Sequence, residues 1–181
     1  YTANRDTILH QLSRREPVME GKVVLITGAG QRLGAATASR LMDEGCYVLI
    51  HVRSSVDSAM NIIEEATVRN GEVRGSILKG DLTVDEDVSR LIGEVKNHPK
   101  VVASGLFGLV HNASFYSQGS FEEITIETFR SLNRLHMDAP FWLTQSLIPE
   151  LERAQGSVVA IVDTSWAVSY THLRAHETVD Y

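Results

Sequence analysis

Between Val23 and Gly34 the sequence reads Val-Val-Leu-Ile-Thr-Gly-Ala-Gly-Gln-Arg-Leu-Gly. Its chemistry lies in backbone amides more than in side chains. Four consecutive apolar residues suit a parallel strand covered on both faces. Gly28 offers a backbone free to take positive φ at the end of that strand, and Gly34 lets the following helix approach closely. Gln31, Arg32 and Leu33 form the entry to that helix. Its unsatisfied N–H groups carry the positive end of the dipole, and the natural occupant of such a place is a pyrophosphate.

A second group follows the apolar run Tyr47–Val52, which ends in Arg53-Ser54-Ser55. Dinucleotide folds that bind NAD place Asp or Glu at this point for the ribose hydroxyls, whereas a 2′-phosphate calls for Arg. No carboxylate occurs before Asp57. A guanidinium fork with two hydroxyls suits the extra phosphate, and a charge-assisted bond of this kind contributes about 1.5–3 kcal/mol. NADPH is therefore the expected cofactor, although Ser54 or Ser55 could also cap the next helix. Two further polar segments follow apolar runs: Gly80-Asp81-Leu82-Thr83 and His111-Asn112-Ala113-Ser114. Spacing alone lets Asp81 cap a helix that opens with Asp85 and Glu86.

These groups need a scaffold, and the pattern supplies one. Strands are expected at Val23–Ile26, Tyr47–Val52, Val73–Lys79, Leu106–Val110 and Gly156–Asp163. Helices are expected at Ala35–Glu44, Val56–Asn70, Asp85–Asn97 and Phe121–Leu151, the last presenting Phe129, Leu132, His136, Ala139, Leu143 and Leu147 on one side. Gly45 and Gly71 follow the first two helices as terminators. The alternation predicts an α/β fold: a doubly wound parallel sheet (Rossmann) in the order 3-2-1-4-5, truncated after the fifth strand.

With 181 residues and 43% hydrophobic content the chain can fill one core. A net charge of −6 argues against a nucleic-acid partner. The single cysteine, Cys46, excludes an internal disulfide and fits a reducing compartment. The longest nearly apolar run, Val101–Val110, is too short to span a bilayer, and no signal peptide is visible. A cytoplasmic location without membrane attachment is the expectation.

Taken together, the segments resemble the short-chain dehydrogenase/reductase family, whose usual glycine motif is T-G-x-x-x-G-[IL]-G. Arg32 stands where that form has glycine, and Arg-Leu-Gly is similar to the pteridine-reductase branch. The resemblance implies that Asp81 and Leu82 lie beside the adenine ring. It implies that Asn112 pairs with backbone groups of the central sheet, while Ala113 leaves room beside the ribose. Ser114, with Phe115-Tyr116, would face the nicotinamide and a flat substrate. His136 stands where the family has Asn in a water chain; on an apolar helix face it reads as a core residue. Asp163 matches the family's substrate-orienting serine and would hold a pterin's amidine-like edge, with Ser165 a nearby hydroxyl. The implied activity is NADPH-dependent hydride transfer to a C=N or C=O bond of a dihydropteridine-like small molecule, in a homo-oligomer.

The family's Tyr-x-x-x-Lys, the general acid and its lysine, is expected after Asp163. Tyr170 is instead followed by Arg174, and the lysines are Lys22, Lys79, Lys96 and Lys100. The stretch Val168–Thr178 matches a translated transposon-end sequencing adapter. The expected organisation is an extension over 1–20, an incomplete dinucleotide-binding domain over 21–167 and a non-native tail over 168–181. On that reading Met19 is the native start, no metal site is assigned to the tail histidines, and the chain by itself is inactive. Two other readings are a non-catalytic, redox-sensing dinucleotide binder and a methyltransferase of the same layout. A natural stop after Ala167 would favour the former; Arg53 in place of an acidic residue opposes the latter.

Overall fold

The computed structural model describes residues 19–116 and 120–162. Five parallel strands form one sheet in the order β3-β2-β1-β4-β5, namely β1 (Val23–Ile26), β2 (Tyr47–Val52), β3 (Gly75–Lys79), β4 (Gly108–His111) and β5 (Ser157–Ala160). The register pairs Val24 with Val48 and with Gly108, and Val48 with Gly75. This is the predicted α/β Rossmann-like topology.

The alternation of side chains along β1 divides the core. Val23 and Leu25 enter a cluster with Leu91, Val95, Leu109, Leu143 and Leu147. Val24 and Ile26 enter the opposite one, with Ala38, Met42, Ile50, Ala59 and Ala66. Helices α1 (Arg32–Asp43) and α2 (Val56–Asn70) cover the second face; α3 (Asp85–Asn97) and α6 (Ala139–Ala154) cover the first. Each fully buried Leu contributes about 1.5–3 kcal/mol, so a strand with apolar side chains on both faces belongs at the centre of the sheet. Gly45 (φ 96°) and Gly71 (φ 79°) follow α1 and α2 in the left-handed conformation expected of terminators.

Several boundaries differ from expectation. Helix α1 begins at Arg32, not Ala35, and β3 begins at Gly75, because Val73 remains largely exposed. Between α3 and the fourth strand, where no element was expected, a short helix forms, α4 (Pro99–Ser104). Pro99 enters its first turn, the His98 ring accepts from the Lys100 amide at 3.3 Å, and Gly105 (φ 78°) follows it.

The long helix expected over 121–151 is broken. It comprises a single 3₁₀ turn (Phe121–Glu123), α5 (Ile126–Asn133), a π-helical segment (Arg134–Asp138) and α6. Pro140 explains the π segment: it has no N–H for the His136 carbonyl, and its ring crowds that oxygen, so the ladder shifts by one residue. Rotation at this break corrects the expected apolar face. Ala139, Leu143 and Leu147 are buried, but Phe129 and His136 face solvent. Strand β5 spans only Ser157–Ala160, and Val158 and Val159 remain about half exposed (44% and 48%). No helix among the described residues is long and apolar enough to cross a membrane.

Candidate functional site

The carboxyl ends of β1 to β4 open into one crevice of about 610 Å³, the place where an open parallel sheet presents its loops to a ligand. Thr27, buried at the end of β1, fastens its floor. The Thr27 Oγ1 accepts from the amides of Asn112 and Ala113, each at 3.0 Å, and donates to the Val110 carbonyl at 3.3 Å. The Asn112 Nδ2 donates back to the carbonyls of Thr27 (2.9 Å) and Gly28 (3.1 Å). These bonds tie the turn after β1 to the end of β4.

Three glycines then do different work. Gly28 takes φ 65°, and a Cβ on it would lie 2.7 Å from Ala113 Cα. A Cβ on Gly30 would meet Val52 Cγ1 at 2.8 Å and Ser55 Cβ at 2.9 Å, so this residue lets the turn rest against the end of β2. A Cβ on Gly34 would meet Asn112 Nδ2 at 2.5 Å and the Gly28 carbonyl at 2.8 Å. The close approach at Gly34 is thus to the Asn112 amide and the turn itself. Arg32, where relatives of this motif carry glycine, adopts φ 52°. The Gln31 side chain does not cap the start of α1, and the first amides of a helix have no partner within it; Gln31 to Gly34 line the crevice.

Each of the expected cofactor residues lines this one space. Gly28, Gln31, Arg32, Leu33 and Gly34 form one wall, and Arg53 and Ser54 the second. Asp81 and Leu82 form a third, and Asn112, Ala113 and Ser114 a fourth. Phe115, Tyr116, Leu135 and Ile161 extend it with apolar and aromatic surface. Arg32 and Arg53 are both exposed at its edge. Asp81 does not cap α3, whose N-cap is Val84. Instead its Oδ1 accepts from the Thr83 amide (2.9 Å) and hydroxyl (2.7 Å), and its own N–H donates to Asp87 Oδ2 at 2.7 Å. That amide bond and Arg90 hold the Asp87 carboxyl below its usual range. His136 packs near the Phe115 ring, with centroids 6.3 Å apart, and its Nε2 lies 3.3 Å from the Phe115 carbonyl. Asp163 and the tail beyond it lie outside the described residues, as does most of the extension expected over 1–20.

One lining residue escaped the sequence reading. His51 is 2% exposed, with Nδ1 3.3 Å from the Gly28 amide and Nε2 3.0 Å from the Gly80 carbonyl. Burial pushes its imidazole down to about 4, against the pull of the Gly80 carbonyl and of Asp81 and Asp87. A histidine inside an apolar strand gives little signal. The only cue was its position two residues before Arg53. Thr27 and Gly30 were visible in the glycine motif, but their roles depend on contacts with β4 and β2.

Comparison with known proteins agrees with this geometry. The family profile for short chain dehydrogenases matches residues 22–175. Human 11-beta-hydroxysteroid dehydrogenase type 2 is 31% identical over 158 residues, covering 87% of this chain and 38% of that protein. Tetrahydroxynaphthalene reductase of Pyricularia oryzae is 27% identical, covering 81% and 50%. The chain thus spans half or less of the length of these two relatives. Among solved structures, the landomycin C-6 ketoreductase LanV with bound NADP and rabelomycin superposes with a TM-score of 0.73 at 27% identity, covering 86% of this chain and 63% of that one. L-sorbose reductase from Gluconobacter frateurii, complexed with NADPH and L-sorbose, gives 0.70 at 25%, covering 81% and 54%. The profile match takes in the whole sheet and every wall of the crevice, and on that basis the chain belongs to the short-chain dehydrogenase family.

Proposed function

We propose that the protein to which this chain belongs is an NADPH-dependent oxidoreductase that moves a hydride to a C=N or C=O bond of a dihydropteridine-like molecule. The observation that carries the cofactor is the end of β2. Arg53 and Ser54 enter the same crevice as the first residues of α1, with no carboxylate at that end of the strand. Relatives of this fold solved with NADP or NADPH support the choice. When bound, the nicotinamide supplies the hydride, and the protein's task is to bind, orient and protonate. The α1 amides and Gly28 turn take the pyrophosphate; Arg53 and Ser54 take the 2′-phosphate; Asp81 and Leu82 flank the adenine. Asn112 and Ala113 shape the floor beneath the ribose.

The substrate class rests on two features: Arg32-Leu33-Gly34 in the glycine motif, and Ser114-Phe115-Tyr116 lining the same crevice. A flat heterocycle stacks well on aromatic surface. Asp163 is assigned to the substrate's amidine-like edge through paired hydrogen bonds. The protein acts in the cytoplasm as a homo-oligomer on this reading. In the full-length protein, NADPH-dependent reduction of a dihydropteridine should be measurable. Asp163→Ala should lower its turnover by about tenfold or more, the effect of losing a charge-assisted bond. Unchanged turnover would remove Asp163 from the site, and no reduction of any dihydropteridine would overturn the substrate class.

A further inference from the structure

Among the described residues His51 is the one ionisable side chain fully buried in the crevice wall, and the proposed cofactor contacts give it no task. It sits at the end of β2 between two loops that a dinucleotide must touch. Its Nδ1 faces the Gly28 amide and its Nε2 the Gly80 carbonyl. A carbonyl only accepts and an amide only donates, so the pair of bonds selects a single form: neutral, with the proton on Nε2. The His51 backbone carbonyl also accepts from Ala29 N–H at 2.9 Å. His51 therefore takes up two successive amides of the glycine turn, while Asn112 Nδ2 holds the Gly28 carbonyl from the other side. The Gly28 residue is thus held at both its amide and its carbonyl, which fixes the turn that leads into α1. On the β3 side, Gly80 is followed by Asp81, whose N–H is held by Asp87, itself paired with Arg90.

We infer that His51 is a positioning residue for cofactor binding: its neutral imidazole locks the phosphate-binding turn after β1 to the adenine-side loop after β3, so that both meet the dinucleotide in register. This inference rests on the crevice being an NADP(H) site. The charged groups facing the ring are Asp81 and Asp87, which favour its protonation, and Arg90, which opposes it. Burial outweighs them and keeps the ring neutral.

The test uses the whole chain, NADP+ as the probe, and three variants that separate the two bonds. His51→Asn keeps an acceptor near the position of Nδ1, His51→Gln keeps a donor near that of Nε2, and His51→Leu keeps neither. Calorimetric titration should show NADP+ affinity falling by about tenfold or more in the Leu variant and by about threefold or more in the Asn and Gln variants, each of which cuts one of the two ties. Exchange protection of the Gly28 amide should fall in the Leu and Gln variants and persist in the Asn variant. The ¹⁵N spectrum of the parent at pH 6 should show His51 neutral with Nε2 protonated. If the parent binds NADP+ and any of the three variants binds it as tightly as the parent, or if His51 is cationic or protonated on Nδ1 at that pH, the inference falls and the cofactor reading stands. If the parent binds no NADP+ at all, both fall together. Should the Leu variant not fold, the losses in the Asn and Gln variants decide the question alone.

Discussion

At φ 52° Arg32 holds a left-handed backbone, a conformation that costs an ordinary residue about 1–2 kcal/mol. The usual glycine at this point of the motif avoids that cost. Arg32→Gly should therefore raise stability by roughly 0.5–1 kcal/mol, after allowing for glycine's greater freedom in the unfolded chain. The same change removes a guanidinium from the crevice edge, so NADPH affinity should fall. Urea unfolding and a cofactor titration read the two effects, and a loss of both would make the side chain a prop of the fold. His51 gives a pH dependence of definite sign. Its folded value of about 4 lies below the ordinary 6.5, so between those limits the unfolded chain binds a proton that the folded chain refuses. The stabilisation is complete above about pH 6.5 and declines as pH falls toward 4, by at most about 3 kcal/mol. Burial lowers His98 and His111 as well, which adds to the same trend. In urea unfolding from pH 7.5 to 4.5, His51→Asn should flatten this slope; an unchanged slope would assign it to other groups.

At the scale of elements, α6 shows what buried faces contribute. Leu143 is fully buried between β4 and α3, whereas Phe129, on α5 before the π segment, is 55% exposed. Leu143→Ala should cost about 2–5 kcal/mol through lost transfer energy and a residual cavity. Phe129→Ala should change stability by less than about 0.5 kcal/mol. Comparable losses in chemical denaturation would mean that the two residues share one packed face, as a single unbroken helix requires. The same contrast shows why some elements could be read from sequence and others could not. Strands β1 and β2 are continuous apolar runs because both of their faces are covered, and Gly45 and Gly71 mark the helices before and after β2. Helix α4 overlaps the start of the apolar run 101–110, and periodicity cannot separate six helical residues from a strand. The break before α6 was written in Pro140, but the direction in which α5 then turns depends on tertiary contacts such as Arg134 to the Thr83 carbonyl at 3.2 Å. In the site, Arg53 and Ser54 were legible from their place at a strand end. The roles of Gly30, Thr27 and His51 were not, because each acts on a neighbour distant in sequence.

For the whole molecule, the sheet brings the ends of β1 to β4 to one side, and no single strand carries a complete site. The glycine turn offers donors, β2 supplies the cation, β3 the carboxylate, and β4 the floor with its aromatic extension. The family membership and the fold account for the first of these; the identity of the cofactor depends on the second. Titration of this chain with NADPH and with NADH, repeated on Arg53→Ala, is the most direct measurement. NADPH should bind the parent at least about tenfold more tightly than NADH, and the substitution should erase that difference while leaving NADH affinity unchanged. Equal affinities in the parent, or equal losses for both nucleotides in the variant, would contradict the account.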